Sequence, residues 1–360
     1  MSKFNIFFFL QVCLIPFNYS YANKASLFKI RDISQSILFV ESRFNKTRKT
    51  KLDATIGFNK HFSTDLQIKA KTKTYFEVGS SSSIYSAEFA PSSSIGLEEA
   101  TLIYNPYNEF KLELGAINQN WINNTLLIDS IPFFSIKEKV ILNLSSVELS
   151  LIAQQSIASN YELSNRLSSI ENNTPVFLVF GLNIKNTNQL FKINLMANYF
   201  DFSNISSEVS FYSGRYGNSI TNSTSKLTSQ FLYNYQGLAL SGSIVILPDS
   251  KIQPMIGFNY VYNEKAPSGR NNSLKLMGAI KINSLQVGGE YFKNESDSTI
   301  AYYNNSYYGH NNTKGFTGNI KKQFKKFSLA LNLHSFEPID NSNPFQAKTF
   351  LVFSQLSFKM

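Results

Sequence analysis

Residues 350–360 read F-L-V-F-S-Q-L-S-F-K-M, and this stretch limits the fold more than any other. Phe350, Val352, Ser354, Leu356, Phe358 and Met360 fall on one side, and all but Ser354 are apolar. Leu351, Phe353, Gln355, Ser357 and Lys359 fall on the other, which turns polar toward the end. A period of two belongs to a strand. A strand at the end of a sheet leaves a row of unpaired N–H and C=O groups. Pairing it with the first strand closes a barrel and removes the edge.

The same alternation recurs upstream. In 51–59, Leu52, Ala54, Ile56 and Phe58 oppose Lys51, Asp53, Thr55 and Gly57. In 65–77, Leu66, Ile68, Ala70 and Phe76 oppose Gln67, Lys69, Lys71 and Lys73. A run of about ten such residues is what a tilted strand needs to cross hydrocarbon. Asn105-Pro106-Tyr107-Asn108, Ser145-Ser146, Asn283-Ser284 and Phe324-Lys325-Lys326 mark short turns. Longer polar segments such as 155–174, 295–313 and 337–346 alternate with them. Seventeen strand segments can be counted, or eighteen with a weak one at 208–215. Both ends of such a barrel face one side, so the count is even. Chain length favours sixteen, in a range of fourteen to eighteen.

The first residues are of another kind. Lys3 precedes an apolar run over 4–17, and the small residues Ser20 and Ala22 follow. This reads as a signal peptide, 1–22, cleaved after Ala22. Residues 23–360 then form one domain. The one cysteine, Cys13, leaves with the leader, which removes disulfides, thiol nucleophiles and cysteine metal sites. The formal net charge is +10, but Lys and Arg are spread along strands instead of clustered, which argues against nucleic acid.

The architecture resembles that of bacterial outer-membrane β-barrel proteins of the porin kind. The closing stretch resembles their C-terminal assembly signal, carried here by Phe350, Leu356, Phe358 and Met360, although that signal usually ends in Phe or Trp. The resemblance implies an all-β, transmembrane, antiparallel up-and-down barrel in the outer membrane, reached by export through the periplasm. It also implies outer-membrane lipid and the barrel assembly machinery as partners, with further copies of the chain as an option.

The polar phase of the strands is expected to line the lumen: Arg43, Lys51, Lys69, Lys71, Lys73, Lys111, Lys192 and Lys275. Acidic candidates are Asp53, Glu77, Glu99, Glu113 and Glu290. Positive side chains around a pore favour anions. Residues 119–138 break the alternation and hold the one tryptophan, Trp121, with Asp129, Phe133, Phe134 and Glu138. By count this is the third outer loop, which in general porins folds inward and narrows the lumen. Asp129 and Glu138 would then face lysines across a constriction. The loop with Tyr302, Tyr303, Tyr307, Tyr308 and His310 reads as surface, with sugar stacking as the alternative.

The expected function is passive diffusion of small hydrophilic solutes with a mild anion preference. The alternative is a structural or adhesive barrel with a plugged lumen and partner-binding loops. Enzyme chemistry finds no support. His334 and Ser335 are neighbours on a strand and point to opposite faces, and no metal or nucleotide motif occurs. No cofactor is expected.

Overall fold

The computed structural model describes residues 28–83, 89–158 and 174–359. The leader and Met360 lie outside them. The first nine strands are β1 (Phe28–Ser42), β2 (Asn45–His61), β3 (Leu66–Ser83), β4 (Ser94–Tyr107), β5 (Phe110–Asn118), β6 (Pro132–Leu144), β7 (Val147–Ile157), β8 (Val176–Thr187) and β9 (Phe191–Ser203). Helix α1 (Ser207–Arg215) follows, then two short strands, β10 (Ile220–Thr221) and β11 (Gln230–Phe231). The rest are β12 (Tyr235–Ile246), β13 (Ile252–Asn263), β14 (Asn272–Ile282), β15 (Leu285–Asn294), β16 (Thr313–Gln323), β17 (Phe327–Pro338) and β18 (Thr349–Lys359).

Among the described residues, sixteen of these strands form one closed antiparallel barrel, in which β9 pairs with β12 and β18 returns to β1. Closure follows the expected route: Ile33 lies opposite Phe358, and Phe39 opposite Val352. The count of seventeen segments is one too many. The segment counted at 226–235 is no wall strand of its own: Gln230 and Phe231 pair with Thr221 and Ile220, and Tyr235 already begins β12 opposite Phe202. The weak candidate at 208–215 is a helix. The Ser206 hydroxyl accepts from the Val209 N–H at 3.2 Å, with Glu208 in the first turn and Arg215 in the last, so capping and charge placement outweigh a short alternation.

The alternation sorts the side chains. One phase of each strand points outward, and there Leu52, Phe76, Phe134, Leu151, Phe180 and Phe316 are exposed. No helix among the described residues is long and apolar enough to cross a membrane. One barrel end carries short connections, at 62–65, 108–109, 145–146, 188–190, 247–251, 283–284 and 324–326. The other carries 84–93, 119–131, 158–175, 204–234, 264–271, 295–312 and 339–348, with only 43–44 short.

Three long connections, 119–131, 204–234 and 295–312, supply residues to the apolar core. Ile122, Leu126, Leu127, Val209, Ile300 and Tyr303 meet the inward residues Phe133, Phe177, Phe200, Ala239, Val261 and Phe292 in one buried cluster. The ends of these connections are tied by polar groups. Asp297 is fully buried and accepts from the Ser219 N–H (2.8 Å) and hydroxyl (2.7 Å), while Asn218 donates to the carbonyls of Ser296 (2.7 Å) and Thr299 (2.8 Å). Asn263 Nδ2, on the β13 wall, donates to the Asp297 carbonyl at 2.7 Å. Asp297→Ala orphans the Ser219 donors inside an apolar cluster and is expected to cost about 2–4 kcal/mol of loop packing. Limited proteolysis within 204–234 and 295–312 should become faster, while heat-modifiable migration, the mark of a closed barrel, persists.

Candidate solute pathway

The inward face of β2–β8 is a ladder of charges whose order follows from register. Lys73 on β3 reaches Asp53 on β2 at 3.6 Å, and Lys49 on β2 reaches Glu77 on β3 at 2.9 Å. Lys69 pairs with Glu99 at 2.8 Å. Lys71 lies opposite Glu99 yet pairs with Glu98 at 2.5 Å. Consecutive strand residues ordinarily face opposite ways. Here the register slips between Lys71 and Thr72, making Glu98 an extra residue on β4, and a bulge re-aims such a side chain. Further along, Lys111 and Lys137 both pair with Glu113. Glu148 takes Lys185 at 3.1 Å and Lys139 at 3.7 Å. Lys51 stands 4.5 Å over the Tyr75 ring.

These side chains point inward but keep contact with solvent. Lys69, Lys71 and Lys73 retain 34 %, 35 % and 34 % of their side-chain exposure. On the other side of the interior, Phe133, Phe177, Phe200 and Phe292 are fully buried. The interior therefore has a filled side against β6–β15 and a wet, charged side along β2–β5.

Loop 119–131 makes the division. It leaves β5 and crosses the interior to the far wall. Asn124 Nδ2 donates to the carbonyls of Leu240 (3.1 Å) and Tyr260 (3.0 Å), and Asn259 Nδ2 donates to the Asn123 carbonyl at 2.8 Å. Lys275 Nζ donates to the Thr125 hydroxyl at 2.8 Å. Its short helical turn, Gln119–Ile122, is capped by Asn118 and ends at Asn123 with φ 56°. Trp121 projects from that turn toward the charged wall, with Lys137 Nζ 5.3 Å from its ring centre. The Trp121 indole N–H has no hydrogen-bond acceptor among the described residues.

The expected pore-lining residues divide. Lys51, Lys69, Lys71, Lys73 and Lys111 share the wet wall, and Lys192 is inward near the short-turn end, opposite Val245. Arg43 does not line the wall: it lies exposed in the turn after β1, 5.5 Å over the Phe44 ring. Lys275 is buried under loop 119–131, which it helps to hold.

The expected constriction residues divide as well. The alternation resumes at Pro132, earlier than the 119–138 break suggests, so Phe133, Phe134 and Glu138 belong to β6. Phe133 points inward into the core, 5.3 Å from the Tyr303 ring centre. Phe134 and Glu138 point outward. Asp129 stays in the loop, accepts from Asn305 Nδ2 at 3.1 Å and forms no close ion pair with a lysine among the described residues; burial pushes its carboxyl up, partly countered by the Ser130 N–H at 2.7 Å and by the more distant charges of His310 and Lys275. The acids that answer the lysines thus sit beside them on the same wall, not across a gap. Sequence reasoning missed Glu98; two adjacent acids in an alternating strand were the available signal.

Of the assembly residues, Phe350 is exposed on the outer face, and Leu356 and Phe358 are half-buried. The Phe358 ring centre lies 6.1 Å from that of Phe327. His334 points inward, its Nδ1 3.0 Å from the Thr317 hydroxyl, while Ser335 takes the opposite face. Much of the tyrosine-rich loop is not surface: Tyr303 and Tyr308 are buried in the core.

No protein-family model and no curated protein matches the sequence. Solved structures match the fold. The Pseudomonas putida OprB structure is 10 % identical, with 92 % of this chain and 94 % of that one covered at a TM-score of 0.63. A triple mutant of the Rhodopseudomonas blastica porin is 12 % identical, with 92 % and 100 % covered at 0.50. The chain has the closed sixteen-strand barrel of bacterial porins.

The raised pKa of Asp129 has a definite sign. A carboxyl that holds its proton more tightly in the packed loop than in the opened one favours packing at low pH. That advantage is lost as pH rises through the interval from the ordinary value of 3.8 to the raised one. Asp129→Asn keeps an acceptor for Asn305 and removes the charge. It should slow proteolysis of loop 119–131 at pH 7 and make no difference once the pH falls below that interval.

Proposed function

We propose that this chain is an outer-membrane channel through which small hydrophilic solutes diffuse passively along the β2–β5 wall, with a mild preference for anions. The observation that carries this reading is the solvent exposure kept by the inward lysines of β3 within a closed barrel. An apolar outside with exposed Leu52, Phe76, Phe180 and Phe316 suits hydrocarbon, where only helices and closed barrels satisfy their backbones. The short turns then face the periplasm and the long loops the exterior. Residues 1–22 serve as the export leader, and Phe350, Leu356, Phe358 and Met360 as the signal to the assembly machinery.

The selectivity is mild for a physical reason. On the wet wall, Lys49, Lys51, Lys69, Lys71, Lys73 and Lys111 outnumber Asp53, Glu77, Glu98, Glu99 and Glu113, but most of these lysines have a carboxylate partner. A solute meets paired charges with a small positive excess. The filled side of the interior supports the second reading, a plugged barrel that acts through its loops. Conductance in a planar bilayer separates the two.

The reversal potential across a salt gradient tests the first reading. Changing Lys69, Lys71 and Lys73 together to Glu sets three new carboxylates beside Asp53, Glu98 and Glu99. Permeability should shift from anions to cations, most strongly at about 0.1 M salt, where screening acts over about 10 Å. A conducting variant with unchanged ion preference would place the route elsewhere.

A further inference from the structure

Two of the register slips in the wall lie at one height. β1 slips against β2 between Ile30 and Asp32, so Arg31 is an extra residue there. β3 slips against β4 between Lys71 and Thr72, so Glu98 is an extra residue on β4. The ladder places the two slips together, because Ile56 on β2 lies opposite both Ile30 and Thr72. Bulges gather beside functional sites and re-aim a side chain. Glu98 has a local reason to turn inward, since it pairs with Lys71. Arg31 has none: it is exposed, with no ion-pair or hydrogen-bond partner among the described residues.

A glycine defines where Arg31 lies. Gly57 is buried and belongs to the inward phase of β2, with Asp53 and Thr55. A Cβ on Gly57 would collide with Arg31 Nε and stand 2.9 Å from its Cδ. The arginine therefore runs across the lumen face of Gly57, in space that a side chain there would fill. In the same cross-strand row, Lys29 on β1 and Lys71 on β3 lie opposite Gly57 on its two sides. Strand spacing sets their Cα atoms roughly 10 Å apart, with the arginine side chain between them. Lys29 is exposed and unpaired among the described residues. Glu98 and Glu99 are already engaged by Lys71 and Lys69, and Asp32, opposite Thr55 in the next row, pairs with neither Lys29 nor Arg31.

We propose that Arg31, Lys29 and Lys71 form a discrete binding site for a small free oxyanion, a carboxylate or a phosphate, at the short-turn mouth of the lumen. A guanidinium presents parallel N–H donors that match a pair of oxygens, and the ammonium groups on either side add point charge. Chloride has no oxygen pair to fit that fork. Such a site rests on the wet-wall reading proposed above and goes beyond it, because a diffuse positive excess biases passage without saturating. The rest of the mouth supplies a comparison. Lys281 and Lys321 face inward at the same end and lie on either side of Gln286, with no arginine and no glycine floor between them.

The test uses the full chain, exported, folded and solubilised in detergent at about 0.1 M sodium chloride, where screening acts over about 10 Å. Titration calorimetry with inorganic phosphate, and separately with succinate, should show saturable binding of at least one of them at one anion per chain. Arg31→Ala should weaken that binding about tenfold or more, the scale of a lost hydrogen bond to a charged group. Arg31→Lys keeps the charge but loses the fork, and should weaken it as well. Gly57→Ala puts a methyl where the arginine runs; the flexible side chain gives way, so the barrel stays folded and the affinity falls. Lys321→Ala removes a positive charge from the same mouth and should leave the affinity within about twofold, because its exposed charge is screened. Heat-modifiable migration reports that each variant is folded. Absence of saturable binding by both anions, or an equal loss from Lys321→Ala and Arg31→Ala, would each overturn the site. Conductance in a planar bilayer keeps the two readings apart. A channel that conducts without saturable binding sinks the site alone, and a chain that binds without conducting supports the site and sinks the passage.

Discussion

Everything in this molecule depends on the pairing of β18 with β1. Eleven residues of the closing strand, from Thr349 to Lys359, face Asp32–Ser42 in register. Without that ladder the sheet has two edges, each with unpaired backbone groups that water or another chain must satisfy. With it, every wall strand has two neighbours, and the barrel acquires an inside and an outside. That division assigns a role to each side chain. Lys69, Lys71 and Lys73 become luminal, and Leu52 and Phe76 become the outer surface, because the side-chain period is two and the register is pinned.

Where the period is broken, chemistry changes. The slip at Lys71 brings Glu98 inward beside Glu99, so the lysine ladder gains one more acid than strict alternation supplies. The consequence is electrostatic. A row of lysines alone would raise the local potential over the whole wall. Interleaved with carboxylates within ion-pair distance, it produces a short-range pattern of alternating sign.

The filled half of the interior obeys a different rule. Loop 119–131 carries Ile122, Leu126, Leu127, Ile128 and Ile131, which are costly in water and gain by burial against Phe177, Phe200 and Val261. Its backbone would be orphaned there without partners. Asn124 and Asn259 supply hydrogen bonds across the interior, and Asp297 with Asn218 and Asn263 ties the other two loops. An apolar loop is thus packed and hydrogen-bonded on the side of the interior away from the β2–β5 charges.

The class, the strand that closes the barrel and the inward phase of the β3 lysines were legible in the chain, because a local period of two and turn residues are written in neighbouring positions. The strand number near sixteen came from chain length and from the need for an even count, since the periodic segments alone number seventeen. The sequence also marked 119–138 as a segment too apolar to be left in water. The tertiary structure decided the rest. The helix at Ser207–Arg215 is capped locally, but the burial of Val209 and Phe211 comes only from the folded loops. The acids beside the lysines come from separate strands, and Glu98 joins them through a bulge that no period announces. Glu138 shows the limit most plainly: within Lys137-Glu138-Lys139 it reads as one more charge in a polar stretch. Placing the start of β6 at Pro132 turns it to the opposite face from both lysines, because a strand alternates and a loop does not.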